Sequence, residues 1–209
     1  MRLHIAGLLL TLAAPAVVRA QASDTAGDLA GRTSLLLGVG LTGTNTASVA
    51  SAGASARAGG EVGSISLTHW AQPDVAVGVS ASVVRASAST DSRGSRTGAI
   101  TSLLFDVAYS PRALALSPSL RPFLSAGAGP YWQSAATATL TDLSSTVEAA
   151  PGARFAAGVN WLAARHLLLS VDGAYQLVGH FHGTDATTAG VSGFGMTAGI
   201  GVSWGGVRR

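Results

Sequence analysis

The segment GFGMTAGIGVSW, residues Gly193 to Trp204, decides the fold. Phe194, Met196, Ala198, Ile200, Val202 and Trp204 fall at every second position, separated by Gly193, Gly195, Thr197, Gly199, Gly201 and Ser203. Successive side chains of a β-strand point to opposite faces. A strict period of two therefore reads as a strand with one apolar face and one face of small or polar residues.

The same pattern recurs upstream. Leu167, Leu169, Val171, Gly173 and Tyr175 share a face, as do Phe155, Ala157, Val159 and Trp161, then Leu124, Ala126 and Ala128. Further back come Leu103, Phe105, Val107 and Tyr109, then Val75, Val77, Val79, Ala81 and Val83, and finally Leu35, Leu37, Val39 and Leu41. Residues 60–71 form the weakest strand. Ile65 and Leu67 share a face but Trp70 has the opposite parity, which a bulge near Thr68 or His69 would repair.

Eight strands result. The connections at 44–58, 88–96, 135–151 and 180–192 are long and rich in Ser, Thr, Gly and Ala. Residues 72–74 and 163–165 are tight turns, and 111–120 is a longer turn with two prolines. Long and short connections in alternation describe an up-and-down antiparallel meander, and eight such strands close into a barrel without free edges. The fold class is therefore all-β.

Composition narrows the setting. Of 209 residues, 47% are hydrophobic and only 11% are charged, fewer charges than a water-facing surface carries. No apolar run is long enough for a membrane-spanning helix. All basic residues are Arg, the net charge is +3, and no basic stripe appears, which argues against nucleic-acid binding. Cysteine is absent, so disulfides and Cys-based metal sites are excluded. Arg2 followed by the apolar stretch 5–16 and small residues at Ala20 and Ala22 reads as a secretory signal peptide. The expected organisation is a signal peptide over 1–20 (cleaved after 20 or 22), a short periplasmic segment over 21–30, the barrel over 31–204 and a short tail over 205–209.

A water-soluble barrel turns its apolar face inward and a membrane barrel turns it outward. Two features favour the membrane barrel. The narrow lumen of eight strands needs the small residues of the minor face, such as Gly127, Gly129, Gly199 and Gly201. The aromatics also sit at strand ends: Trp70, Tyr109, Phe123, Trp161 and Trp204 toward one rim, and Tyr131, Trp132, Phe155, Tyr175, Phe181 and Phe194 toward the other. Two aromatic girdles around an aliphatic band mark the two membrane interfaces.

With these elements in place, the sequence resembles the small eight-stranded outer-membrane β-barrel family of OmpA/OmpX type over most of residues 31–204. The best local matches are RPFLSAGAG (Arg121–Gly129) and the last strand. The resemblance implies an eight-stranded antiparallel up-and-down transmembrane β-barrel in the outer membrane, with periplasmic termini and short turns and with the four long loops outside. It also implies that Ile200, Val202 and Trp204 form the signal read by the barrel-assembly machinery, although here a five-residue tail follows the terminal aromatic.

Little in the sequence carries chemistry. Glu61, Arg85 and Arg154 map to the lumen near the outer rim, Asp106, Asn160 and Asp172 map lower, and Arg121 and His166 lie near the periplasmic end. They read as a polar plug that rigidifies a filled lumen. A selectivity lining is the alternative. His180 and His182 could face one side of an extended chain but have no third metal ligand nearby, and His69 has no acid at a suitable spacing. Gly-x-Gly pairs such as Gly38 and Gly40 are strand alternation, since no helix follows. No catalytic, cofactor-binding or metal-ligating residue is assigned. The expected protein is a monomeric, non-catalytic outer-membrane barrel with a structural or surface-interaction role, partnered by outer-membrane lipid and the assembly machinery. A narrow channel for small or apolar solutes is the alternative, and a lipid-modifying enzyme with a site at the rim is a third reading.

Overall fold

A computed structural model describes residues 29–44, 59–89, 95–117, 119–138, 143–179 and 192–206. Eight strands form a closed, fully antiparallel barrel in chain order. They are β1 (Arg32–Thr44), β2 (Gly59–Trp70), β3 (Val75–Ser89), β4 (Ser95–Tyr109), β5 (Leu120–Ala138), β6 (Leu143–Leu162), β7 (Leu167–Val178) and β8 (Gly193–Gly205). The only other element among the described residues is a single 3-10 turn at Arg112–Leu114.

The register fixes the shape. From Thr33 the paired residues run through His69, Val77, Val107, Ala126, Phe155, Tyr175 and Phe194 and return to β1 at Gly43, ten residues beyond the start. For eight strands that stagger tilts each strand by about 40° and leaves an interior only wide enough for side chains. The glycines of the inner face follow from this narrowness. A Cβ on Gly38 would lie 2.5 Å from the Ser64 hydroxyl oxygen, and one on Gly152 would lie 2.5 Å from the ring of Tyr131.

Closure is completed at the seam on the short-turn side, the end that the resemblance makes periplasmic. Gly31, at φ 72°, turns the chain into β1. Its N–H donates to Trp70 at 2.7 Å and its carbonyl accepts from Gly206 at 3.1 Å, which ties β1 to both neighbours. A side chain at this φ would be strained.

The outer face is apolar and exposed: Val39 is 72% accessible, Phe105 70% and Ile200 57%. Leu37, Leu41, Leu67, Val77, Leu103, Val107, Val171 and Val202 continue the same belt, as alternation requires. Such a continuous apolar surface is far larger than water-soluble proteins expose. Measured along the tilted strands from Trp204 to Phe194, it is about 25 Å tall.

Several expectations need correction. No bulge interrupts β2: its pairing runs unbroken from Glu61 to Trp70, and Trp70 points into the barrel, 4% exposed. Phe123 lines the lumen and Tyr131 is buried at 1%, so neither belongs to a girdle. Tyr109, Trp161 and Trp204 remain on the outer face near the periplasmic end, with Tyr175 and Phe194 toward the other end. Glu61 and Arg85 are directly paired across β2 and β3 and stand on the outer face, not in the lumen. The connection read as 135–151 is largely strand and that read as 88–96 is strand at both ends, since β3 and β4 pair out to Ser89 and Ser95, and β5 and β6 out to Ala138 and Leu143. There the runs of Ala, Ser and Thr carry no apolar alternation, so pairing is not visible in the sequence. The expected signal peptide, the rest of the N-terminal segment up to residue 28, Phe181, and the pair His180 and His182 lie outside the described residues.

The belt sets a position-dependent cost for charge. In the protein folded into phospholipid vesicles, Val107→Arg should lose about 2–4 kcal/mol of unfolding free energy in urea titration. Val147→Arg, on the upper part of β6, should stay within about 0.5 kcal/mol of the parent.

Candidate functional site

The inward faces of the strands build three layers. At the periplasmic end Leu29, Trp70 and Ala76 are buried together, with Ala108 packed against them. The surrounding rim is held by polar groups. Arg121, 4% exposed, donates to the Asp74 carboxylate at 3.3 Å and to the Ser110 carbonyl at 3.0 Å, and Arg112 reaches the same carboxylate at 3.2 Å. Arg32 donates to the Arg165 carbonyl at 3.1 Å, His166 donates to the Ser203 carbonyl at 2.9 Å, and Ser34 bonds Ser203 at 3.2 Å.

The middle layer is polar. Asp172 on β7 accepts from Arg154 of β6 at 2.6 Å and from Thr197 of β8 at 2.5 Å, so one carboxylate joins three strands. Asp106 on β4 accepts from Ser80 of β3 at 2.5 Å, and Ser82 bonds Ser102 across the same pair of strands at 2.7 Å. Charge-assisted bonds of this kind are shorter and stronger than neutral ones, and the lumen's low polarity strengthens them further. A cavity of about 130 Å³ remains among these groups, bordered also by Ser64, Asn160, Ser170 and Gln176. It is polar and roomy enough for several water molecules.

The outer layer is apolar. Val62, Val84, Ile100, Leu104, Tyr131, Ala150 and Val178 form one buried cluster across β2 to β7. Tyr131 lies over Gly152, filling the space that the glycine leaves. This ring-on-glycine contact shields an otherwise bare stretch of backbone.

The sequence reading of Arg154, Asp106, Asn160, Asp172 and Arg121 as inward-facing holds, and the structure brings Arg154 and Asp172 into direct contact. Missing from that reading were the two apolar ends. Their signal was present: Val62, Val84, Ile100, Leu104 and Val178 are large apolar residues at the parity of the small face. His69 has a partner after all, the Thr33 hydroxyl at 3.0 Å on the outer surface. No bond from this imidazole to a carboxylate appears among the described residues, so the pair lacks the third group that would orient a base. No group of three or more His, Asp or Glu is arranged to hold a metal among the described residues.

The class of protein follows from this fold: an eight-stranded barrel of the outer-membrane type, apolar on its outward face. Solved structures agree. The chain is similar to Ail, the attachment invasion locus protein of Yersinia pestis, at 12% identity and a TM-score of 0.57, covering 84% of this chain and 99% of that one. Neisserial surface protein A matches at 15% identity and a TM-score of 0.58, over 83% and 97% of the two chains. The outer membrane protein OprG of Pseudomonas aeruginosa matches at 14% identity and a TM-score of 0.54, over 87% and 99%. At these identities the likeness shows a shared fold. No protein-family model and no curated protein sequence matches the chain.

The middle layer makes a double-substitution test. Arg154→Met leaves the Asp172 carboxylate with Thr197 alone and should cost about 2–3 kcal/mol in urea unfolding. Combining it with Asp172→Leu should recover part of that loss, because the carboxylate bonded to Arg154 is removed with it while Asp106 stays in the lumen.

Proposed function

We propose that this protein is a non-catalytic, non-conducting barrel of an outer membrane that acts through its outward surface. The exposed belt supports the membrane setting, since only lipid covers a ring of this height and apolarity without a partner chain. A buried apolar cluster toward each end of the lumen supports the absence of conduction. The polar cavity lies between the Trp70 cluster and the Tyr131 cluster, so a solute would have to displace buried apolar side chains at each end. This is the observation that carries the reading.

The surface role draws on the uneven strand lengths. β5 and β6 contain 19 and 20 residues against 12 or 13 in β1, β2, β7 and β8. The β3–β6 sheet therefore rises beyond the belt on the long-loop side. Among the described residues, β6 pairs with β7 only from Gly152 onward, which leaves 143–150 as a sheet edge. Edges of this kind accept an added strand. The similar proteins include the attachment invasion locus protein and Neisserial surface protein A, names in keeping with this reading. Delivery would use the assembly machinery, with Ile200, Val202 and Trp204 on the outer face of the closing strand as the recognised residues.

A channel is the second reading, favoured by the polar cavity itself. Planar-bilayer recording separates the two. The intact protein should give no discrete conductance steps, whereas Tyr131→Ala combined with Trp70→Ala should give small ones. Discrete steps from the parent protein would overturn the non-conducting reading.

A further inference from the structure

The turn between β4 and β5 is unlike the others on its side of the barrel. The β2–β3 and β6–β7 connections are each about four residues long, whereas this one runs from Ser110 to Ser119. It is built. Pro111 leads into the 3-10 turn, whose Leu114 and Ala115 N–H groups donate to the carbonyls of Pro111 and Arg112, both at 3.1 Å. Leu116 and Ser117 then donate to the Leu120 carbonyl at 3.1 and 3.3 Å, and the Ser117 hydroxyl oxygen accepts from the Leu120 N–H at 2.9 Å. All these bonds hold a backbone that points its apolar side chains away from the protein. Leu114 is 61% exposed and Leu116 is 72% exposed.

Two leucines held outward by a hydrogen-bonded turn need a covering phase. The occupant follows from continuity. Leu116 is bonded through its backbone to Leu120, and Leu120 is paired with Trp161, an outer-face aromatic at the lower edge of the belt. Tyr109, the last residue of β4 and also on the outer face, enters the same turn from the other side. Arg112, at the base beside these apolar groups, holds its guanidinium 3.2 Å from the Asp74 carboxylate. Leucine next to Trp, Tyr and Arg is the composition that settles at the boundary between lipid headgroups and acyl chains.

We infer that the β4–β5 turn is a membrane foot. It inserts Leu114 and Leu116 into the periplasm-facing leaflet, with Arg112 at the level of the lipid phosphates, and so fixes the depth of the barrel on this side. The inference rests on the membrane-barrel reading above, and the test keeps the two apart.

The chain has no cysteine, so a nitroxide can be attached at one chosen position. Leu114→Cys and Leu116→Cys are labelled in the full-length protein, folded into phosphatidylethanolamine–phosphatidylglycerol vesicles and checked for heat-modifiable gel migration. Collision rates with oxygen, which concentrates in acyl chains, and with a water-soluble nickel chelate are then compared. Val107→Cys reports the belt, and Gln72→Cys, in the exposed β2–β3 turn, reports water. The oxygen-to-nickel ratio at Leu114 and Leu116 should exceed that at Gln72 several-fold and lie below that at Val107. A ratio equal to that at Gln72, with Val107 in lipid, would overturn the foot alone. Low collision rates with both reagents would mean that protein covers the turn, and would overturn it too. A water-like Val107 would instead remove the membrane reading itself.

Discussion

Everything in this structure depends on the backbone ladder that joins β1 to β8. Thirteen residue pairs, from Arg32↔Gly205 to Thr44↔Gly193, turn a twisted meander into a closed cylinder. Once the ladder closes, every strand in the belt has a hydrogen-bonded neighbour on both sides, the condition under which a β-structure can sit in a medium that offers no hydrogen bonds. The return to β1 at Gly43 after starting at Thr33 fixes the diameter, and the diameter decides which residues the lumen tolerates. Glycine at 38, 78, 127, 152, 158 and 199 is a consequence of that closure, since a side chain at any of these would meet the neighbouring strand.

The same closure sorts the polar groups. An unpaired charge in a narrow lumen is costly, so each carboxylate there has acquired donors from adjacent strands: Asp172 from β6 and β8, Asp106 from β3. The network lies in the middle of the lumen, and an apolar cluster is buried toward each end. The lumen thus holds two kinds of packing. Apolar burial stabilises the ends, and between them the Arg154–Asp172 ion pair and the serine and threonine hydrogen bonds fix the strands relative to one another.

How much of this was legible in the sequence depends on side-chain size. Where large apolar residues alternate with small ones, as in β8, β7 and β1, the strand, its faces and its outward phase are all visible, because period two is unambiguous there. Where both faces are small, as in Ala135–Ala138 and Ser144–Thr146, the pairing is set by the ladder rather than by side chains, and the strands look like loops. Trp70 misled for a different reason. A large aromatic at the wrong parity looked like a register shift, but it is the side chain that closes the periplasmic end, a role visible only when Leu29 and Ala76 are brought beside it. Glu61 and Arg85 misled because charges were expected inward. Their direct pairing on the outer surface near the long-loop side places them where an interface tolerates them.

The central claim is that the barrel turns one set of aliphatic residues to lipid and another to its own lumen. Intermolecular nuclear Overhauser effects between acyl-chain methylenes and side-chain methyls, measured on the intact protein in lipid nanodiscs, read that sorting directly. Methyls of Leu37, Val39, Val77, Val107, Val171 and Ile200 should show contacts to acyl chains, and those of Val62, Val84, Ile100, Leu104 and Val178 should show none. Acyl-chain contacts to the second set in place of the first would contradict the account.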